Sequence, residues 1–262
     1  MKDAVPIRQI QADMRKILQP VSRRLARAGL TPAKALDLML GVPLTVLEDL
    51  YALATRDPAA RSSAVYAYES YLSFRALVAH RVAHELHRLG AATLDRQGVG
   101  HGLATAARCI AEAAKVETGV EIHPAAVIGS RMVIDHGYGT VIGEQVRIGA
   151  DCYLLQNVVL GARAIRSTPD HWTGRRHPHI GNRVEIAGNV AVFGPVTIGD
   201  DCRIEAGARI AEDVPAGSRI RVVSIVQVTT RRTGVQPKSD VGAHDTGHVM
   251  LGANGDTPGH AV

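Results

Sequence analysis

Residues 180–214 read IGNRVEIAGNVAVFGPVTIGDDCRIEAGARIAEDV, and the stretch counts in sixes. Ile180, Ile186, Val192, Ile198, Ile204 and Ile210 lead successive hexads, and Val184, Val190, Val196, Cys202, Ala208 and Val214 follow each leader by four places. A period of six is neither the 2.0 of an ordinary strand nor the 3.6 of a helix. It is the hexapeptide repeat of a left-handed parallel β-helix, in which each hexad makes one flat side and three hexads close a triangular coil around inward aliphatics. The same count runs upstream through Ile122, Ile128, Ile142, Ile148, Leu154 and Leu160. Together the hexads make roughly five coils, a prism about 25 Å tall at a strand spacing of ~4.8 Å. Cys152 and Cys202 fall on the inward small-residue position and are expected to be core.

Before residue 119 the period changes. ALDLMLGVPLTVLEDLYALA has helical apolar spacing with a break marked by Pro43, and SSAVYAYESYLSFRALVAHRVAHELHRLG places Tyr71, Phe74, Leu77, Val78 and Val82 on one face, with Gly90 as the expected C-cap. A further helix is expected over GLATAARCIAEAAK, with Cys109 on its packed face. The expected class is therefore α+β: a helical domain over residues 1–118, a β-helix over 119–222 with an extruded loop at 161–179, and a Gly-, Asp- and His-rich tail over 223–262 that is too polar to order itself.

Composition narrows the function. The formal charge of +5 comes with no basic stripe interleaved with aromatics, which argues against a nucleic-acid surface. No apolar run approaches a membrane span, and three scattered cysteines without zinc spacing fit a reducing, cytoplasmic setting. His80, His84 and His87 share a helix face, but no partnering ligands accompany them and no metal is expected.

The hexad count fails twice. Eight residues, rather than six, separate Ile134 from Ile142, with the extra pair in VIDHGYG; a larger excursion, GARAIRSTPDHWTGRRHPH, follows Leu160. Solenoids accept insertions at corners, and such loops commonly form the binding face. Both breaks carry histidine beside a charged residue, Asp135-His136 and Arg176-His177. Asp57, before a proline, could simply cap a turn, Glu144 reads as a solvated corner residue, and His123 as a turn residue.

EIHPAAVIG, MVIDHGYGTVIGE, YLLQNVVLG and RRHPHIG resemble the motifs DIHPxAxIG, LDHATGxVxGE, SILQxVTLGG and DRHPKIG of the serine O-acetyltransferases of cysteine biosynthesis. Upstream, RDPA and SFRALVAHRVAHEL resemble that family's RDPA segment and GFxALQAHRIAH helix, so the resemblance covers roughly residues 50–215 in order. It implies acetyl transfer from acetyl-CoA to the hydroxyl of L-serine. His136 is then the general base, suited by the ordinary imidazole pKa of ~6.5 to activate a hydroxyl. Glu121 orients that base, and His177 completes the site, stabilising the oxyanion. Asp57 and Asp135 hold the substrate ammonium, and Arg176 forks onto its carboxylate. Gly161, Ala162 and Arg163 stand at the coenzyme side. The resemblance also implies a homotrimer with sites between subunits, or a hexamer as a dimer of trimers.

The chain departs from the pattern in four places. Glu121 replaces an aspartate; Gly-Gly-Thr-Gly-Lys is absent after Gly161; Arg175 replaces an acid; and RVVSIVQVTTRR stands in place of Gly-x-Pro-Ala-Arg. Three of these fall on the donor side, where Arg163, Arg166, Arg175 and Arg176 are expected to meet phosphates. They keep open a related acceptor, a different acyl donor, or a non-catalytic scaffold. The family's C-terminus ends in isoleucine and docks into cysteine synthase; here the tail ends in Val262, so such docking is possible but not indicated.

Overall fold

The computed structural model describes residues 3–93, 98–164 and 174–223. Expectations for Arg166, for the RVVSIVQVTTRR segment beyond Val223 and for the tail with its cysteine synthase contact lie outside the described residues.

The first half is helical: α1 (Ile7–Leu18), α2 (Ser22–Arg27), α3 (Pro32–Asp37), α4 (Val42–Arg56), α5 (Ala64–Ser70), α6 (Leu72–Ala92) and α7 (Val99–Thr118). Pro43 sits in the first turn of α4, where its missing N–H costs nothing. α5 and α6 are separate helices, broken at Tyr71, whose backbone is extended. Gly90 does not cap α6, which runs on to Ala92. It is glycine because α6 crosses α7 there: a Cβ on Gly90 would lie 2.9 Å from the Gly100 carbonyl oxygen. Gly119, at φ +71°, ends α7 and hands the chain to the prism.

The prism has three faces of parallel strands. The first stacks β1 (Glu121–Ile122), β4 (Val141–Ile142), β7 (Val159–Gly161), β10 (Ala191–Phe193) and β13 (Arg209–Ile210). The second stacks β2 (Val127–Ile128), β5 (Arg147–Ile148), β8 (His179–Ile180) and β11 (Thr197–Ile198). The third stacks β3 (Val133–Ile134), β6 (Tyr153–Leu154), β9 (Glu185–Ile186), β12 (Arg203–Ile204) and β14 (Arg219–Ile220). Hexad leaders stack on hexad leaders: Ile122 on Ile142, Ile142 on Leu160, and Leu160 on Val192, with Val192 on Ile210. This register, set by the six-residue count, buries one aliphatic column per face, and Cys152 and Cys202 are fully buried among them.

The edge from the second face to the third is packed backbone on backbone. A Cβ on Gly129 would sit 2.6 Å from Ala150 N, and one on Gly149 would sit 2.6 Å from the Gly181 carbonyl oxygen. Only glycine fits there.

α6 joins the two halves: Ala76 and Leu77 belong to the prism core, while Phe74, Val82 and Leu86 belong to the helical one. Buried Arg81 reaches from α6 to the Ile128 carbonyl and, at 2.7 Å, to that of Gly129. Among the described residues, no helix is long and apolar enough to cross a membrane.

Candidate active site

The break in VIDHGYG lies on the edge from the third face to the first, between β3 and β4. Gly137, at φ +77°, is wedged against the prism and α6: a Cβ there would meet Ile134 at 2.8 Å and Ser73 at 3.1 Å. His136 takes the left-handed conformation just before it, at φ +58°, which histidine tolerates better than most side chains. The tight turn aims the imidazole outward, 71% exposed, with Nε2 3.9 Å from Asp135 Oδ1. The ring of Tyr138 lies over Gly119 beside it.

Asp135 is mostly covered, and its Oδ2 accepts a 2.9 Å hydrogen bond from the Tyr153 hydroxyl. Asp57 terminates α4 and is 6% exposed. Its Oδ1 accepts from Ala59 N at 2.8 Å, the turn-capping role, and its Oδ2 accepts from the Tyr71 hydroxyl at 2.5 Å. Both phenols are pushed above the ordinary tyrosine range, first by burial, then by the hydrogen bond to their own carboxylate, and further by the field of the other acid. Tyr71 thus holds Asp57 and Tyr153 holds Asp135, and Arg56, the residue before Asp57, lies over the Tyr153 ring. Among the described residues no lysine or arginine lies within 4.0 Å of either carboxylate. Neither tyrosine is marked as a site residue by the sequence. The signal for Tyr153 lies in the coil count, since β6 runs directly beside β3 and puts Tyr153 opposite Val133, two residues before Asp135.

Glu121 is not joined to His136 within the chain. Its carboxylate faces α7, 2.5 Å from Lys115 Nζ and 3.7 Å from Arg108 Nη2. His177 and Arg176 sit on a different edge, from the first face to the second, where the long excursion rejoins β8. Glu144 is not simply solvated: it takes a 2.8 Å hydrogen bond from Arg176 Nη2, which holds its carboxyl below the usual range. Gln145 Oε1 accepts from Arg176 N at 2.9 Å and lies 3.4 Å from His177 Nδ1. His177 is buried, its ring so close to Gly143 that a Cβ there would be 2.4 Å from Cδ2. Burial, and then the Arg176 charge, holds its pKa below the ordinary histidine value, so it is neutral near pH 7.

On the donor side, Gly161 ends β7, with Ala162 next in the chain. Arg163 donates to the Ala211 carbonyl, and Arg175 to the Pro195 carbonyl and Thr197 Oγ1. These arginines are occupied by the following coils rather than held free for phosphates. His84 Nδ1 lies 2.8 Å from the Pro124 carbonyl oxygen, and the rings of His80 and His84 are 5.6 Å apart.

Residues 177–212 match the family model described as bacterial transferase hexapeptide (six repeats). Over 167 residues the chain is 40% identical to the serine acetyltransferase of Mycobacterium tuberculosis, covering 64% of this chain and 65% of that relative. Over 165 residues it is 38% identical to the serine acetyltransferase of Helicobacter pylori (strain J99), covering 62% of this chain and 84% of that relative. The chain belongs to the serine acetyltransferase family. Among solved structures, the serine acetyltransferase of Neisseria gonorrhoeae in complex with serine superposes with a TM-score of 0.62 at 28% identity, covering 78% of this chain and 80% of that one. Serine acetyltransferase family membership thus extends from the hexads to the helical half that carries Asp57.

Within one chain the candidate residues form two groups. Asp135 and His136 stand at one long edge of the first face, and Asp57 ends α4, whose Arg56 lies over Tyr153, while Arg176 and His177 occupy the opposite edge of that same face.

Proposed function

We propose that the chain transfers the acetyl group of acetyl-CoA to the hydroxyl of L-serine, with His136 as general base. The observation that carries this reading is the pair of carboxylates, Asp57 and Asp135, without a lysine or arginine partner among the described residues and beside an exposed imidazole. Two adjacent anions lacking a cation favour an ammonium group between them.

In the proposed reaction the serine hydroxyl oxygen attacks the thioester carbonyl carbon while His136 takes the hydroxyl proton. The tetrahedral intermediate collapses, the C–S bond breaks, and the departing sulfur receives that proton from the imidazolium, giving O-acetylserine and free CoA. His177, neutral at working pH, donates a ring N–H to the oxyanion. Arg176 receives the substrate carboxylate, which displaces Glu144 from its fork. Glu121 orients the base, and Gly161, Ala162 and Arg163 flank the donor.

A homotrimer makes these groups one site, with the His136 edge of one copy against the Arg176 edge of its neighbour. Two trimers joined through the helical half would give a hexamer. The separation of the two groups across the first face supports this arrangement.

The occupied Arg163 and Arg175 favour a second reading, in which the acyl donor or the hydroxylated acceptor differs from the family's. A thiol-release assay with acetyl-CoA against a panel of hydroxy amino acids tests both. Release with L-serine above all others is expected; release with another acceptor shifts the reading to that acceptor, and no release with any overturns acetyl-CoA as donor.

A further inference from the structure

Tyr153 stands where the family pattern SILQxVTLGG has serine, so its hydroxyl is carried further out, on a phenol ring. It donates to Asp135 Oδ2 at 2.9 Å, while Tyr71 donates to Asp57 Oδ2 at 2.5 Å. The two acids come from distant segments, α4 and the β3–β4 corner, yet each is met by one phenol of the same chain. Tyr153 also carries the guanidinium of Arg56, 5.0 Å above its ring centroid, and Arg56 Nη1 donates to the Asp151 carbonyl at 2.8 Å. Arg56 directly precedes Asp57, yet its guanidinium lies on that aromatic face and 3.8 Å from Glu185 Oε1 rather than on either carboxylate.

We infer that Tyr71 and Tyr153 are the positioning residues of the amino-acid seat: their hydroxyls orient Asp57 and Asp135 toward a substrate ammonium. A neutral donor is suited to this role. It stabilises the anion and fixes its direction, but leaves the negative charge for the ligand, as an arginine or lysine would not. Each carboxylate oxygen so engaged retains a second lone pair. The remaining groups facing the pair are His136 on the Asp135 side, the Ala59 amide on Asp57, Tyr66 packed edge-on against Tyr71, and Arg56 beyond Tyr153. None of these donates to the two oxygens that the phenols hold.

The inference rests on the reading of Asp57 and Asp135 as an ammonium seat, and its test separates the two. Tyr71→Phe and Tyr153→Phe remove only a hydroxyl, and the second of these variants retains an aromatic ring under Arg56. Each should raise KM for serine about tenfold with kcat within about twofold. Independently of turnover, L-serine binding followed by calorimetry should weaken about tenfold in each variant. Unchanged KM and unchanged serine binding in folded variants would overturn the inference while leaving the transferase reading standing. If the wild-type chain releases no thiol with serine, the transferase reading fails, and serine binding by calorimetry still decides what the phenols do.

Discussion

Arg81 grips both oxygens of Asp49, with Nε 2.9 Å from Oδ2 and Nη2 3.1 Å from Oδ1, and the pair is buried where α4 and α6 meet the first coil. Asp49 Oδ1 also accepts from Met132 N at 2.9 Å, so each partner ties its helix to prism backbone. Removing one partner strands a buried charge, and Arg81→Met should destabilise by about 3–5 kcal/mol in urea unfolding. The double variant Asp49→Leu/Arg81→Met should recover part of that loss. A single-variant loss below about 1 kcal/mol would mean that packing alone joins the halves.

The base is best tested with asparagine. His136 has φ +58°, where alanine adds a backbone cost of about 1 kcal/mol and asparagine is at home. His136→Asn should lower kcat by about 10²–10⁴-fold with the melting temperature nearly unchanged. Turnover close to wild type would dismiss His136 as base.

Mixing tests the shared site. His136→Asn and Arg176→Ala proteins should each be weak, the first in kcat and the second in KM for the amino acid. Denaturing and refolding them together should restore activity, because random reassembly leaves about a quarter of composite sites with both halves intact. No recovery, despite co-assembly shown by a tagged subunit, would place each site within one chain.

Stability should fall in acid. His80 is fully buried, neither ring nitrogen has a partner among the described residues, and burial chiefly, then the Arg81 charge, holds it well below the ordinary histidine value. The unfolded chain takes up this proton below about pH 6.5 while the folded chain does not, so stability present above that pH is lost as pH falls. The slope from one such group reaches about 1.4 kcal/mol per pH unit. Urea midpoints at pH 7.5, 6.5 and 5.5 should fall less steeply in His80→Leu. A residual slope is expected from His87, His123, His177 and His179, all of which are lowered chiefly by burial. An identical slope in His80→Leu would assign the acid sensitivity elsewhere.

The prism was legible because its code is local. Each leading aliphatic announces its own coil, and Ile134 to Ile142 shows by counting alone where the turn holding His136 leaves the repeat. Contacts between elements were not legible in the same way. The break at Tyr71 is invisible in a helical pattern whose apolar spacing continues through it. Gly90 reads as a cap until α7 is seen crossing at Gly100. Glu144 reads as solvated until the excursion returns Arg176 to it from the next coil. Tyr153 occupies an ordinary outward hexad position, and its role depends on which coil neighbours Asp135.

The glycine-packed edge at Gly129 and Gly149 limits where this molecule can change. The departures from the six-residue count at VIDHGYG and after Leu160 open between β3 and β4 and between β7 and β8, where the other two edges lie. An extra residue between the second and third faces would have to part coils whose backbones already touch, whereas the open edges can lengthen without disturbing a stacked column. Variation in substrate choice within this architecture is therefore channelled to the two margins of the first face, and a chimera exchanging only those margins should keep its fold.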